Sequence, residues 1–318
     1  MAKKSSMGIA EHVSSCLQLA ILLEVSAYPM PGNVHRTVDF QDTKYEHYLA
    51  SAVAVAPHFK RAAKQGILAF TKKISPNDIE TGKIIKNSVK SIDAWQHGGN
   101  TLLGAVILLS PIAVASGMTF TQGSFSVTKL RENIRTVIEA STSADAVDVY
   151  DAIQIAKPEG LGKAPKLDVT DPDSKKKILG ENVTLFEVFR IASKYDSIAA
   201  EWVNNYPITF ELGYPFFVQK LRETGNVNIA TVHTFLKILS EIPDTFIARK
   251  VGLPKAKEVS ARAKQVLETG GLTTSKGRQV LWKFDEELRD SEHKLNPGTT
   301  ADIVTAVLAI SILNGFRP

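Results

Sequence analysis

The sequence contains a single cysteine, Cys16, so an internal disulfide bond is excluded. This scarcity is typical of proteins kept in a reducing compartment, and we expect a cytoplasmic location. Cys16 lies in an apolar pattern with no flanking base, which favours a packing role over a nucleophilic one. The segment that follows the N-terminus contains Glu11, His12 and Glu24, a pattern that does not predict a signal peptide.

Several common catalytic motifs are also missing. No Gly-x-Ser-x-Gly, His-Glu-x-x-His, Cys-x-x-Cys or P-loop occurs in the 318 residues. Their absence argues against a serine hydrolase, a zinc protease and a Walker-type kinase. The net charge is also small, because 38 basic and 33 acidic residues leave only +5. Such a small, dispersed charge predicts no nucleic-acid partner, although it suits an anionic small ligand.

Long hydrophobic runs are limited to the segment from Leu102 to Phe120, which contains no charged residue. Pro111 within the run and the polar pair Asn100-Thr101 before it favour a buried core helix over a membrane span. We therefore expect no membrane partner. Homo-oligomer formation is left open by the sequence.

Alternation of apolar and polar residues is almost absent, and apolar residues recur instead at spacings of three and four. This pattern predicts an all-α fold, a single helical bundle over residues 1–318 with buried apolar helices at its centre. The first helix is predicted over Gly8–Ala27, and the central helices over 100–116 and 300–313. The irregular segment 157–182 contains three prolines and three glycines and predicts a lid-like loop.

Two further helix predictions depend on local signals. A helix that begins near Asp42 or Thr43 should be bent or interrupted at Pro57, because proline lacks the amide hydrogen. The pattern over 184–204 predicts one helix.

Carboxylates are concentrated between the first two predicted helices, in Asp39-x-x-Asp42-x-x-x-Glu46. Spacings of three and four would place them along one face of a helix, where they repel unless a cation compensates. Hard oxygen ligands suit Mg²⁺, so Asp39, Asp42 and Glu46 are candidate metal ligands. The alternative is helix capping by Asp42 or Thr43, with Glu46 closing a capping box.

Three glycine-containing turns are candidate phosphate-binding sites. Gly32, Asn33 and Arg36 belong to Pro-Gly-Asn-x-His-Arg, where turn amides and a guanidinium could grip phosphate, although the motif is also common simply as a turn. Gly98-Gly99-Asn100-Thr101 and Asn296-Pro297-Gly298-Thr299 each precede an apolar helix, whose N-terminus favours an anion. Ordinary capping by Asn100 is the alternative for the second turn.

Two charged positions extend this set. Asp244, Arg249 and Lys250 place a carboxylate and two cations on neighbouring helical turns, which an intrahelical salt bridge also explains. Asp302 lies in the first turn of the last apolar helix, at the edge of a buried region where an ionised group needs a partner.

Six blocks of this sequence resemble the triphosphoribosyl-dephospho-coenzyme-A synthase family in order and position, from about Glu11 to Gly315. The blocks are PMPGNVHR, DFQDTKYEHYLASA, GGNTLLG, GLGKAPKLDV, DTFIARKVG and NPGTTADIVTAVL. The chain departs from the family at Thr299-Thr300, where Gly-Ser is usual, and at Leu102, where histidine is frequent. These departures resemble a divergent, archaeal branch of the family.

The resemblance implies an all-helical enzyme that moves the triphosphoribosyl unit of ATP onto a ribose hydroxyl of dephospho-CoA or a related cofactor precursor, with Mg²⁺, and releases adenine. Breaking the base–ribose bond develops positive charge that carboxylates stabilise, while cations and helix ends hold the triphosphate. Asp39, Asp302, Asp244 and His35 are the catalytic candidates, Asp244 and Asp302 as general base and His35 as acid. Arg36, Arg249 and Lys250 are the phosphate-binding candidates.

Two other functions stay open at this point. A Mg²⁺-dependent N-glycoside hydrolase, acting on a nucleotide or an ADP-ribosyl-type substrate, would use water in place of the acceptor. A nucleotide-binding regulator without chemistry is the second alternative, although binding ATP alone requires cations more than three acids.

Overall fold

The computed structural model describes residues 6–289 and 292–318. Within these residues the chain forms fifteen α-helices and no β-strand, which confirms the all-α prediction. The helices are α1 (Ser6–Ser26), α2 (Tyr45–Phe70), α3 (Thr81–Trp95), α4 (Leu103–Thr121), α5 (Val127–Glu139), α6 (Ser143–Ala156), α7 (Ser174–Gly180), α8 (Leu185–Ala192), α9 (Ser197–Val203), α10 (Tyr214–Thr224), α11 (Val227–Glu241), α12 (Thr245–Val251), α13 (Leu253–Glu268), α14 (Ser275–Leu288) and α15 (Gly298–Leu313). A π-helical segment, Ile208–Gly213, precedes α10. The single-domain prediction includes residues 1–5, 290 and 291, which lie outside the described residues.

Helices α4 and α15 lie at the centre of the core, as the uncharged sequence of α4 and the apolar run after Asp302 in α15 predict. Helix α4 packs against α1, α2, α5 and α15, so every side of it is covered. By length and composition alone, α1 and α4 could each cross a membrane, but 89% of the α4 window is buried inside the fold. A buried core helix can have the same length and apolar composition as a membrane-spanning helix.

The proline inside α4 has its missing hydrogen bond replaced by a side chain. Pro111 has no amide hydrogen to donate to the carbonyl oxygen of Ile107, one helical turn earlier. The indole Nε1 of Trp202 donates to that oxygen over 3.1 Å. The hydroxyl of Tyr206 donates to the neighbouring Leu108 carbonyl over 2.9 Å. Because an unpaired buried carbonyl is costly, these two fully buried aromatic residues fix α9 and the turn after it against α4.

Helices α2 and α4 approach each other closely enough for their backbones to touch. A Cβ atom at Gly66 would lie 1.9 Å from the carbonyl oxygen of Val114, and one at Gly117 would lie 2.1 Å from that of Ala63. Neither contact leaves room for a methyl group. The two glycines therefore set the distance between the helices.

The structure contradicts two local predictions, an interruption at Pro57 and a single helix over 184–204. Helix α2 runs unbroken from Tyr45 to Phe70 and has the half-exposed Val53 one turn before the proline, while a bend at Pro57 stays a prediction. The segment 184–204 forms two helices, α8 and α9, because Asp196 caps a new helix by accepting from the amide of Ala199 over 3.0 Å. The lid-like segment 157–182 contains α7, so its irregular part is 157–173.

We expect Gly66→Ala to lower the free energy of unfolding by about 1–3 kcal/mol, because the added methyl group pushes α2 away from α4. Denaturant unfolding followed by circular dichroism measures this change. Gly180→Ala is the matched control, since Gly180 is the last residue of α7 and a Cβ atom added there would meet no other atom within 4 Å. Equal stability of the two variants would contradict the close contact between α2 and α4.

Candidate active site

A cavity of about 270 Å³ opens where the N-termini of α4 and α15 meet the C-terminal end of α1. This size is close to the lower end of small-ligand sites, about 300–1,000 Å³. The irregular segment 157–173 covers one side, and α8, α9 and α12 line another. We call this space the central cavity.

The central cavity brings together residues from distant blocks of the sequence. Asn100 and Asp302, which are far apart in the chain, both line it. The predicted site residues on its wall are Asn33, Asn100, Thr101, Arg249, Asn296, Gly298, Thr299 and Asp302. The side-chain oxygen of Asn296 is buried and accepts no hydrogen bond within the described chain. Such an orphaned acceptor is typical of a ligand site.

Asp302 joins the two central helices at the cavity wall. Its carboxylate accepts a hydrogen bond from the backbone amide of Ala105 in the first turn of α4. A Cβ atom at Gly104 would lie 2.0 Å from Asp302 Oδ2, so only glycine permits this approach. Burial is the largest cause that raises the pKa of Asp302 well above its ordinary value, and the charges of Asp244 and Asp196 add to it.

Glu24 of α1 is a cavity residue to which the sequence reasoning assigned no role. It is 7% exposed and lines the central cavity. Burial, and then the negative charge of Asp302, raises its pKa from 4.5 to about 8. A signal was present in the sequence, because Glu24 is the only Asp, Glu, Lys or Arg between Glu11 and Arg36.

Tyr48 in the first turn of α2 lines the central cavity together with Glu24 and Asp302. Burial, followed by the charges of Glu24 and Asp302, raises the pKa of the Tyr48 phenol above its usual range. The hydroxyl therefore stays protonated at neutral pH and can donate a hydrogen bond. No sequence signal distinguished this tyrosine from a packing residue.

Two of the predicted phosphate-binding cations lie at the edge of the central cavity. Arg249 forms an ion pair with Asp196 and lines the cavity. The side chain of Lys250 is only 7% exposed and pairs with Glu159 of the covering segment over 2.7 Å. Both cations also line a second, adjoining space of about 560 Å³, which we call the charged depression because three carboxylates and three strong bases line it. Its other lining residues are Gln41, Asp42, Glu159, Gly160, Glu292, His293 and Lys294.

The acidic trio does not line the central cavity. Asp39 accepts a hydrogen bond from the amide of Tyr45 over 2.8 Å and thereby caps α2, while Glu46 is exposed. Asp42 lies in the charged depression, 3.8 Å from His293. Among the described residues, no group of three His, Cys, Asp or Glu side chains is placed to hold a metal ion. The three carboxylates therefore do not form a closed metal site.

Asp244 and His35 have structural contacts instead of cavity contacts. Asp244 caps α12 and accepts from the amide and the hydroxyl of Thr300, each over 2.8 Å, which ties α12 to α15. His35 is fully buried and lies 3.4 Å from Asp285.

The other members of the Pro-Gly-Asn turn are also outside the central cavity. Asp285 accepts from the amide of Gly32 over 2.9 Å, and Arg36 stacks over Tyr28, 3.9 Å from the ring centre. The catalytic roles predicted for Asp244 and His35, and the phosphate contacts of Gly32 and Arg36, gain no support from these positions.

Comparison with known proteins decides the family. The model of the ATP:dephospho-CoA triphosphoribosyl transferase family matches residues 10–317. The chain belongs to this family. Membership makes it a transferase and confirms the resemblance seen in the sequence blocks.

Relatives of the triphosphoribosyl transferase family share most of the chain. A 2-(5″-triphosphoribosyl)-3′-dephosphocoenzyme-A synthase from Klebsiella pneumoniae is 23% identical over 309 residues, covering 95% of this chain and 91% of the relative. A Pseudomonas fluorescens protein described as a probable synthase of the same name is 24% identical over 306 residues, with the same two coverages.

A solved structure from Archaeoglobus fulgidus, described as a triphosphoribosyl-dephospho-CoA synthase, superposes with a TM-score of 0.61 at 21% identity. The match covers 85% of this chain and all of that one. It shows that the two chains share a fold.

Gly104→Ala should reduce turnover by about a hundredfold, because the new methyl group displaces the Asp302 carboxylate from the cavity wall. Steady-state kinetics of the transferase reaction measures this loss. The same substitution at Gly180, far from the cavity wall, serves as the control. Unchanged turnover in Gly104→Ala would mean that the position of Asp302 does not matter for the reaction.

The raised pKa of Glu24 makes stability depend on pH. The folded state holds this proton up to about pH 8, whereas the unfolded chain releases it near 4.5. The free energy of unfolding should therefore fall as pH rises between these values. Urea unfolding at several pH values measures the slope, and Glu24→Gln should make it shallower. An equal slope in both proteins would show that Glu24 titrates normally.

Proposed function

We propose that this protein transfers the 5-triphosphoribosyl group of ATP onto a ribose hydroxyl of dephospho-CoA or a related cofactor precursor and releases adenine. The observation that carries this proposal is the convergence of Asp302, Asn100 and Asn296 in one cavity next to the charged depression. The cavity supplies carboxylates for a developing positive charge, and Arg249 and Lys250 of the depression are the cations for phosphates. Family membership supports the same reaction.

The placement of charge suggests how ATP lies in the site. Breaking the bond between the ribose and adenine leaves positive charge on the sugar carbon, and a buried carboxylate stabilises that charge strongly. Asp302 lines the cavity and is the candidate for this role and for the general base on the acceptor hydroxyl. The triphosphate then extends towards Arg249 and Lys250, where guanidinium and ammonium groups favour phosphate oxygens.

Magnesium is included in the proposal as the companion of the triphosphate. Mg²⁺ typically combines one or two protein carboxylates with substrate phosphates, so a closed cage of three acids is not required. Of the predicted acidic trio, Asp42 lines the charged depression and fits this role. The ion would neutralise phosphate charge there.

The direct test is to incubate the protein with Mg²⁺-ATP, with and without dephospho-CoA, and to follow adenine by chromatography. Adenine that forms only with the acceptor, together with a triphosphoribosylated product, supports the proposal. Adenine without acceptor indicates an N-glycoside hydrolase, and ADP indicates a kinase. Absence of any product would support a nucleotide-binding regulator and contradict the proposal.

Asp302→Asn should lower turnover by about a hundredfold or more, because the neutral amide stabilises less positive charge and accepts no proton. Initial rates of adenine release measure the loss. The matched control is Asp93→Asn, since Asp93 is exposed on α3 and lines neither space. Wild-type rates in Asp302→Asn would remove Asp302 from the mechanism.

A further inference from the structure

The four carboxylates that line the central cavity differ in their partners. Asp196 is paired with Arg249, and Asp168 accepts hydrogen bonds from amides of its own loop. Asp302 accepts a hydrogen bond from the backbone amide of Ala105 in α4. The carboxyl group of Glu24 has neither a hydrogen bond nor an ion pair within the described chain, although the residue is only 7% exposed. A buried carboxyl group with no partner that faces a cavity is available to a ligand.

Neutral Glu24 is favoured by its surroundings. Three helices pack on α1 near Glu24. Helix α4 has no titratable side chain, α2 places Tyr48 on the cavity wall, and α15 places Asp302 there. None of these brings a positive charge to Glu24. Two neighbouring buried carboxylates cannot both ionise easily, so the pair holds a proton at neutral pH.

The hydrogen bonds indicate where that proton resides. Asp302 accepts an amide hydrogen at the N-terminus of α4, and both the bond and the helix end favour its ionised form. Burial raises the pKa of both carboxyl groups, but only that of Asp302 is opposed by such a hydrogen bond. We therefore place the shared proton on Glu24. Glu24 can then donate a proton as an acid, and the ionised Asp302 can accept one as a base.

We propose that Glu24 is the acid that protonates the departing adenine, and that Asp302 returns a proton to it after each turnover. This inference rests on the proposed function. It names a catalytic residue that neither the sequence reasoning nor family membership supplied.

The proposed steps balance. The bond between the ribose carbon and adenine breaks, its electron pair goes to the adenine ring, and the Glu24 proton neutralises that ring. The acceptor oxygen forms the new bond to the sugar carbon and gives its proton to Asp302. Passage of this proton from Asp302 to Glu24 restores the starting state, so no proton is exchanged with solvent.

The test compares Glu24→Gln with wild type by measuring kcat/KM for adenine release across pH. Wild type should lose activity as pH rises through the pKa of Glu24, because the acid form disappears. Glu24→Gln should be slower by about 10²–10⁴-fold, the usual contribution of a general acid, and should lack this alkaline decline. Glu24→Asp keeps a carboxyl group and should recover part of the rate together with the decline.

Glu11→Gln is the matched control, because it makes the same change on the same helix at an exposed site that pairs only with Lys60. It should keep both the rate and the pH profile. Circular dichroism establishes that each variant is folded. A folded Glu24→Gln with the wild-type rate and profile would overturn the inference.

A separate measurement tests whether Glu24 binds the metal ion instead. Mn²⁺ replaces Mg²⁺, and its paramagnetic signal reports the bound fraction with and without ATP. Equal Mn²⁺ binding in wild type and Glu24→Gln supports the acid role, whereas loss of Mn²⁺ in the variant overturns it. Failure of the proposed function is recognised separately, since wild type would then release no adenine at all.

Discussion

The hydrogen bond between the Asp302 carboxylate and the first turn of α4 is the contact on which the site depends. It joins the N-termini of the two apolar central helices, and it requires a glycine at position 104. Both helices are buried along their length, so neither can shift without disturbing the core. The cavity wall is therefore as rigid as the centre of the protein, which suits a catalytic carboxylate.

The rest of the core supports this arrangement. Glycine contacts hold α2 against α4, and Trp202 compensates for the amide that Pro111 lacks. Asp244 ties α12 to α15, which places Arg249 at the rim of the cavity. On the open side, Glu159 of the covering segment pairs with Lys250, so this segment lies against the proposed phosphate seat.

Helices with one buried face were predictable from the 3.6-residue apolar period, and helices buried on all sides were predictable from long apolar runs. The limits of α1 follow from the first signal, and the central position of α4 and α15 follows from the second. Pro57 and the break at Asp196 were not predictable in the same way. A proline can be accommodated within a helix, and a cap competes with helix continuation only through the local backbone.

The site was predictable in part. The sequence determined that Asn100, Asn296 and Asp302 stand at the starts of apolar helices, since glycine and polar residues there mark helix N-termini. It also determined the family, because six blocks occur in register. Only the tertiary structure decided which carboxylates share a cavity, because the crossing of α1, α4 and α15 sets those distances. Asp39, in a dense acidic motif, became a cap, whereas the isolated Glu24 faces the cavity, and spacing along the chain carries no information about either outcome.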